Sequence, residues 1–295
     1  MPWELDYALL SFTQLKKSHY YLDSSDKVYI DVVLNLSSYI INWDQTLLPK
    51  SFFIKKFENL QSLLKNYICR FKIFDENSLY GGLDSQKFST EDHIDHYIVL
   101  NPDMYFSETL LFHLIESSKL ITNKSFTITP QIPKLWDNTW DIISHPNYRN
   151  TPYDEWDSLD VYDVRAFSKN LTDISLTPIT PHKWAGWMDL YNKNTWNWFM
   201  SPSEMDWEGY GGCDFFAMIL SDYAKKHGLD FQQYRLNNQI VCEYEVGPLK
   251  GNKLSNYYKE FLVLNDIPNQ RQQFESNMQQ YLNKGVQMLK DKKIL

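Results

Sequence analysis

Two aspartates stand at the exits of turns that could hold them over a ligand. The first is Asp103, in "YIVLNPDMYF" (Tyr97–Phe106), where an apolar run gives way to Asn101 and Pro102. Proline cannot continue a strand ladder, so the carboxylate falls just beyond the carboxyl end of a strand. In open α/β sheets that edge is where ligands bind. A carboxylate there can hold a hard divalent cation, which in turn neutralises a diphosphate. Asn-Pro-Asp is also the composition of a plain strand-to-helix turn. The second is Asp214, in "WEGYGGCDFF" (Trp207–Phe216), released after Tyr210, Gly211, Gly212 and Cys213. Glycine opens backbone conformations closed to other residues and lets a ligand approach the main chain. Asp214 at the exit of that turn reads either as a helix cap or as the base of an active site.

The elements that must position them follow from periodicity. Residues 5 to 20 set Leu5, Leu9, Phe12 and Leu15 among polar positions and read as a helix. "KVYIDVVLNL" (27 to 36) reads as a strand, and "SFFIKKFENLQSLLKN" puts Phe53, Phe57, Leu60 and Leu64 on one helical stripe. "YICRFKIFD" (67 to 75) and "HYIVLN" (96 to 101) are strands, and "SETLLFHLIESSKL" is a helix with Ser107 as its expected cap and Leu110, Leu111, Leu114 and Ile115 turned inward. "SFTITP" (125 to 130) is a further strand. Strands alternating with helices predict an α/β sheet with crossover helices. From 131 to 210 periodicity fades and most of the tryptophans appear, which predicts long Trp-rich loops. "DFFAMILSDYAKKHG" is a helix stopped at Gly228, short strands are expected at 229 to 236 and 239 to 246, and the polar tail from about 254 is expected to be helical.

The balance of 37 acidic against 29 basic residues, a formal charge of −8, argues against a partner that is bulk nucleic acid, because phosphate neutralisation needs a basic face. Cys69, Cys213 and Cys242 form no Cys-x-x-Cys pair, so reduced thiols are expected rather than a zinc site or a disulfide framework. The first residues show no basic region followed by an apolar run, and no apolar segment approaches the ~18 residues of a membrane span. A soluble, cytoplasmic protein with no membrane span is the expectation.

Together the two turns are more specific than either alone. "VLNPDMYF" resembles the metal-binding strand end of GT-A glycosyltransferases, especially the large inverting family in which Asn-Pro-Asp replaces Asp-x-Asp. "EGYGGCDFF" resembles the Gly-Trp-Gly-Gly-Glu-Asp turn of the galactosyltransferases that build lactosamine. The order of the turns and their separation of about 110 residues fit as well. The resemblance covers residues 27 to 246. It implies a GT-A-like domain over 27–250, a Rossmann-like mixed sheet flanked by helices, between an N-terminal helical extension (1–26) and a helical tail (251–295).

By that match Asp103 would hold a metal–diphosphate and Asp214 would be the catalytic base that deprotonates an acceptor hydroxyl, with inversion at the anomeric carbon. Asn101, beside Asp103, joins the donor side, as do Asn35, Ser37 and Asp75 at the ends of the earlier strands. Trp184 and Trp187 are candidates for the acceptor side, with Tyr210, Gly211 and Gly212, since aromatic faces stack on sugar rings. The partners implied are a nucleotide-sugar donor and a glycan or other hydroxyl acceptor.

The chain also departs from the pattern. Cys213 stands where the family usually has glutamate, and Asp103 has no second aspartate two residues upstream. Where many members carry a metal-binding histidine, "QIVCEYEV" offers Glu243, an oxygen ligand suited to Mn²⁺ or Mg²⁺. Metal-independent transfer stays open. These departures define one alternative, a carbohydrate-binding protein of the same fold that has lost turnover. His93, Asp95 and His96 in "EDHIDHY" define another, a metal-dependent hydrolase.

Overall fold

Phe53, Phe57, Leu60 and Leu64 are all buried, and the helix that aligns them spans Lys50–Leu63 (α2). The computed structural model describes residues 5–35, 50–65, 67–74, 93–102, 104–131, 171–179, 188–200, 212–243 and 267–295. α2 connects strands Tyr29–Asn35 (β1) and Ile68–Phe74 (β2), which pair in parallel from Tyr29 opposite Ile68 to Asn35 opposite Phe74. One face of the pair, with Ile30 and Leu34, is buried with α2 and an N-terminal helix, Leu5–His19 (α1). On the opposite face Arg70 donates two hydrogen bonds to the Asp31 carboxylate, at 2.7 and 2.6 Å, across the register position the two residues share.

A second sheet contains His96–Leu100 (β3), Met104–Phe106 (β4), Ser125–Gln131 (β5), Leu176–Ile179 (β6), Met188–Asn192 (β7) and Phe231–Glu243 (β8). Its order is β3-β7-β5-β8-β4, with β6 also paired to β8. β7 is antiparallel to both β3 and β5, and β5 is parallel to β8, so β3, β5 and β8 run in one direction. β4 and β6 run against β8. The architecture is mixed α/β, a mixed sheet flanked by helices.

Several expectations change. The stretch from 131 to 210, expected as loops, contains β6 and β7. β7 is buried from Met188 to Tyr191, between β3 and β5, so it shows no apolar–polar alternation. Asn192 closes it and caps a helical turn, Lys193–Thr195 (α4), accepting from the Thr195 amide at 3.0 Å. The chain continues as a π-helical turn, Trp196–Met200. Trp196 is buried and stacks on Tyr97, ring centroids 4.5 Å apart, so this tryptophan belongs to the core.

The two strands expected near 229 to 246 are one, β8. Its register on β5 jumps from Leu236 opposite Pro130 to Ile240 opposite Gln131, and Asn237, Asn238 and Gln239 form the irregularity between. The helix after β4 spans Leu110–Ser118 (α3), and Thr109 rather than Ser107 holds its N-cap position, with no side-chain capping bond. The Ser107 hydroxyl accepts from the Thr109 amide at 3.3 Å and donates to Gln239 at 2.5 Å.

Helix Gly212–Lys226 (α5) ends where Lys225, Lys226 and Gly228 predict. Gly228 has φ +101, its amide donates to Lys225, and the Leu229 amide donates back to Ala224. That pair of bonds closes a helix end through a left-handed residue. The tail forms helix Ile267–Asp291 (α6), which buries Leu282, Val286 and Leu289 in one cluster with Leu220 and Ala224 of α5. Among the described residues no helix is long and apolar enough to cross a membrane.

Candidate functional site

The turn that contains Asp103 is held from outside the sheet by α1. Ser11 Oγ lies 2.8 Å from the Pro102 carbonyl and 2.6 Å from that of Met104. Gln14 donates to the Phe106 carbonyl at 2.6 Å, and Ser18 to that of Ser107 at 3.1 Å. All three side chains are buried. β4 is paired to β8, and α1 satisfies carbonyls that would otherwise form an open edge. A hydroxyl has one proton, so Ser11 is shared between the two carbonyls that bracket Asp103. The sequence reading took the apolar residues of α1 as its packed side and missed this stripe. Polar residues at positions 11, 14 and 18 give no hydrophobic signal, although their helical spacing was there to be read.

Asp103 itself lies outside the described residues, between Pro102 and Met104. Asn101 is half-buried at the end of β3. Met104, the residue after Asp103, is the register partner of Glu243, the last residue of β8. The two segments expected to supply metal ligands are therefore neighbouring antiparallel strands. Two carboxylates make a hard oxygen donor set, which fits Mg²⁺ or Mn²⁺. Among the described side chains, which do not include those of Asp103 and Glu243, no group of three or more His, Cys, Asp or Glu comes together.

Asn35 closes β1 opposite Phe74, so the segments leading to Ser37 and Asp75 leave the same edge of the parallel pair. Ser37, Asp75, Trp184, Trp187, Tyr210 and Gly211 lie outside the described residues. Gly212 opens α5, and Asp214 follows two residues later within the first helical turn. Asp214 therefore stands inside the first turn and not at the capping position that one of its two readings gave it. A carboxylate in the first turn is favoured by the positive end of the helix dipole, which supports the ionised form a base requires.

α5 and β8 are joined by a tight connection, so α5 runs back antiparallel to β8. From Lys226 to Asp214 the helix rises roughly 18 Å, while β8 from Phe231 to Leu236 advances roughly 17 Å. The first turn of α5 is thus carried to the level of Leu236 on β8, near the carboxyl ends of β3 and β5 and the edge at which Asn101 and Pro102 leave β3.

The face of the sheet beneath α5 changes character along its length. Tyr97, Tyr191 and Phe231 point into the cluster shared with α5 and α6. Ile98, Phe126, Ile128, Leu190 and Leu236 point into the other cluster, with α3. Alternation then sets Asp189, Thr127, Thr129, Gln233 and Arg235 on the α5 face. Thr127 is the register partner of both Tyr191 and Gln233, and Thr129 is that of Arg235. Asp189 is buried and pairs in register with Val99, two residues before Asn101. None of this polar group was singled out from the sequence; the available signal was an acid inside the apolar run of Met188–Tyr191.

Among the described residues His93 and His96 are not part of a common group of metal-ligating side chains. The His93 ring meets the edge of Tyr29 at 5.0 Å, while His96 lies against Phe126 at 6.4 Å. Burial lowers the His96 pKa, against a smaller upward pull from Asp95 and Asp26. Cys69 is a free thiol in a half-buried position, its pKa raised first by burial and then by Asp31. Compared with models of known protein families and with curated proteins, the chain finds no match.

Proposed function

We propose that this chain is a GT-A-like glycosyltransferase that moves a sugar from a nucleotide-sugar to a hydroxyl group of a glycan or similar acceptor, with inversion. Support comes from one observation above all. The strand that follows Asp103 pairs with the end of β8 at Glu243, and the first turn of α5, with Asp214, is carried toward the end of the sheet at which Asn101 and Pro102 leave β3. The sequence resemblance assigns its metal site and its base to these three positions.

Asp214 takes the proton from the acceptor hydroxyl as that oxygen bonds to the anomeric carbon. The bond from the anomeric carbon to the diphosphate oxygen breaks, and the nucleoside diphosphate leaves with the electron pair. A single base without a covalent intermediate gives inversion. Asp103 and Glu243 would hold Mn²⁺ or Mg²⁺, which when bound supplies positive charge to the departing diphosphate. The Ser11 hydroxyl holds the Pro102 and Met104 carbonyls on either side of Asp103.

The test is a panel of nucleotide-sugars incubated with glycan acceptors, with Mn²⁺ or with EDTA. Transfer from one donor is expected. UDP or GDP at about 100 times its dissociation constant should stabilise the fold by roughly 2.7 kcal/mol, with more of that effect in Mn²⁺ than in EDTA. Asp103→Ala should remove the metal-dependent part. Binding of a sugar without turnover of any donor would favour the carbohydrate-binding alternative, which the substitution at Cys213 also favours.

A further inference from the structure

Gln233 and Thr127 are 2% and 1% exposed, and among the described residues neither the Gln233 amide atoms nor the Thr127 hydroxyl has a hydrogen-bond partner. They are register partners on adjacent parallel strands and lie on the same face. A buried polar group left unpaired is costly, and an apolar side chain of equal volume would avoid that cost. Toward the carboxyl edge the next row holds Thr129 and Arg235, and continuing the β5–β7 register by one residue beyond Ile128 and Leu190 brings Asp189 opposite Thr129. Asp189 and Arg235 then stand on either side of β5, two strand spacings or about 10 Å apart. Arg235 is half-buried, and its Nε donates to the neutral Asn237 side chain at 3.2 Å.

We propose that Thr127, Asp189, Gln233 and Arg235 form the subsite that recognises the hydroxyl groups of the transferred sugar, a neutral hexose ring. The assignment rests on the glycosyltransferase reading above. A carboxylate only accepts, a guanidinium only donates, and an amide and a hydroxyl do both. That mixture matches ring hydroxyls, each of which donates and accepts. A purely anionic ligand would call for donors alone and would be opposed by Asp189. Hydrogen bonds in so enclosed a site discriminate strongly, because an analogue lacking the hydroxyl leaves buried groups unpaired.

Gln233→Met tests this, since it keeps the volume and removes the amide. The variant should melt at or above the wild-type temperature and bind UDP unchanged. Its KM should rise roughly tenfold for the preferred member of a set of UDP-glucose, UDP-galactose and UDP-N-acetylglucosamine, and its preference within the set should flatten. Asp189→Asn should change the order of preference. Unchanged KM and unchanged preference in an active Gln233→Met enzyme would overturn the subsite while leaving the glycosyltransferase reading intact. If wild type turns over no donor, that reading falls, and free glucose, galactose and N-acetylglucosamine test the subsite alone. A sugar-dependent thermal shift in wild type that is lost in Gln233→Met supports it; no such shift in wild type overturns it.

Discussion

Ser11 and Met104 are 93 residues apart in sequence, yet the Ser11 hydroxyl reaches the Met104 carbonyl at 2.6 Å, and the Pro102 carbonyl at 2.8 Å. An N-terminal helix thereby holds the backbone on both sides of Asp103. Ser11→Ala removes the donor from buried carbonyls that have few other routes to a partner. The expected loss is about 1–3 kcal/mol in urea unfolding, the range for a buried acceptor left unmade. Nucleotide binding in Mn²⁺ should weaken more than binding in EDTA. An unchanged unfolding midpoint would show that the clamp contributes nothing.

The contact between α5 and α6 turns on Gly285. A Cβ there would meet the two terminal methyl groups of Leu220 at 2.6 and 2.7 Å, and Leu220 is fully buried. In an exposed helix, alanine for glycine gains about 1 kcal/mol. Here overpacking, typically ~1–3 kcal/mol, should outweigh that gain. Gly285→Ala is therefore expected to lower the melting temperature, and Leu220→Val in the same chain should recover part of the loss. A Gly285→Ala variant more stable than wild type would mean that α6 moves away from α5 at little cost.

How far the sequence could be read depended on the environment of each segment. α2 and the end of α5 were legible because an apolar stripe and a glycine stop are local signals. β7 was not, because a strand covered on both faces loses its alternation, and Asp189 in its middle made the segment look like the loops around it. Asn237 and Asn238 read as a turn between two strands, whereas with Gln239 they are an irregularity within one. Of the site, the two turns are visible as motifs, and the Met104–Glu243 pairing joins two segments that the same resemblance had singled out for a metal. Ser11 showed only in the helical spacing of positions 11, 14 and 18, and Gln233 not at all, since a buried polar residue becomes meaningful only once its neighbours are known.

Acid should expose the burial of His96. Its pKa is held below the ordinary 6.5, so near pH 6 the unfolded chain binds more protons at this residue than the folded one. The stability from its neutral form is present above about 6.5 and is lost as pH falls through the depressed folded value. His96→Phe, which suits the neighbouring Phe126, should flatten that part of the stability–pH curve measured by urea unfolding. Identical slopes for wild type and variant between pH 7 and 5 would contradict the assignment.

The central claim is that the first turn of α5 supplies the catalytic base, and Asp214→Asn tests it most directly. The residue is inside the helix rather than at its cap, so the substitution loses only a dipole interaction of about 0.3–1 kcal/mol. Folding and donor binding should persist. Sugar transfer, measured with saturating donor and acceptor, should fall on the order of 10²–10⁴-fold, the usual contribution of a positioned base. An Asp214→Asn protein that transfers sugar at the wild-type rate would contradict the account and leave the glycine turn as a way of starting a helix.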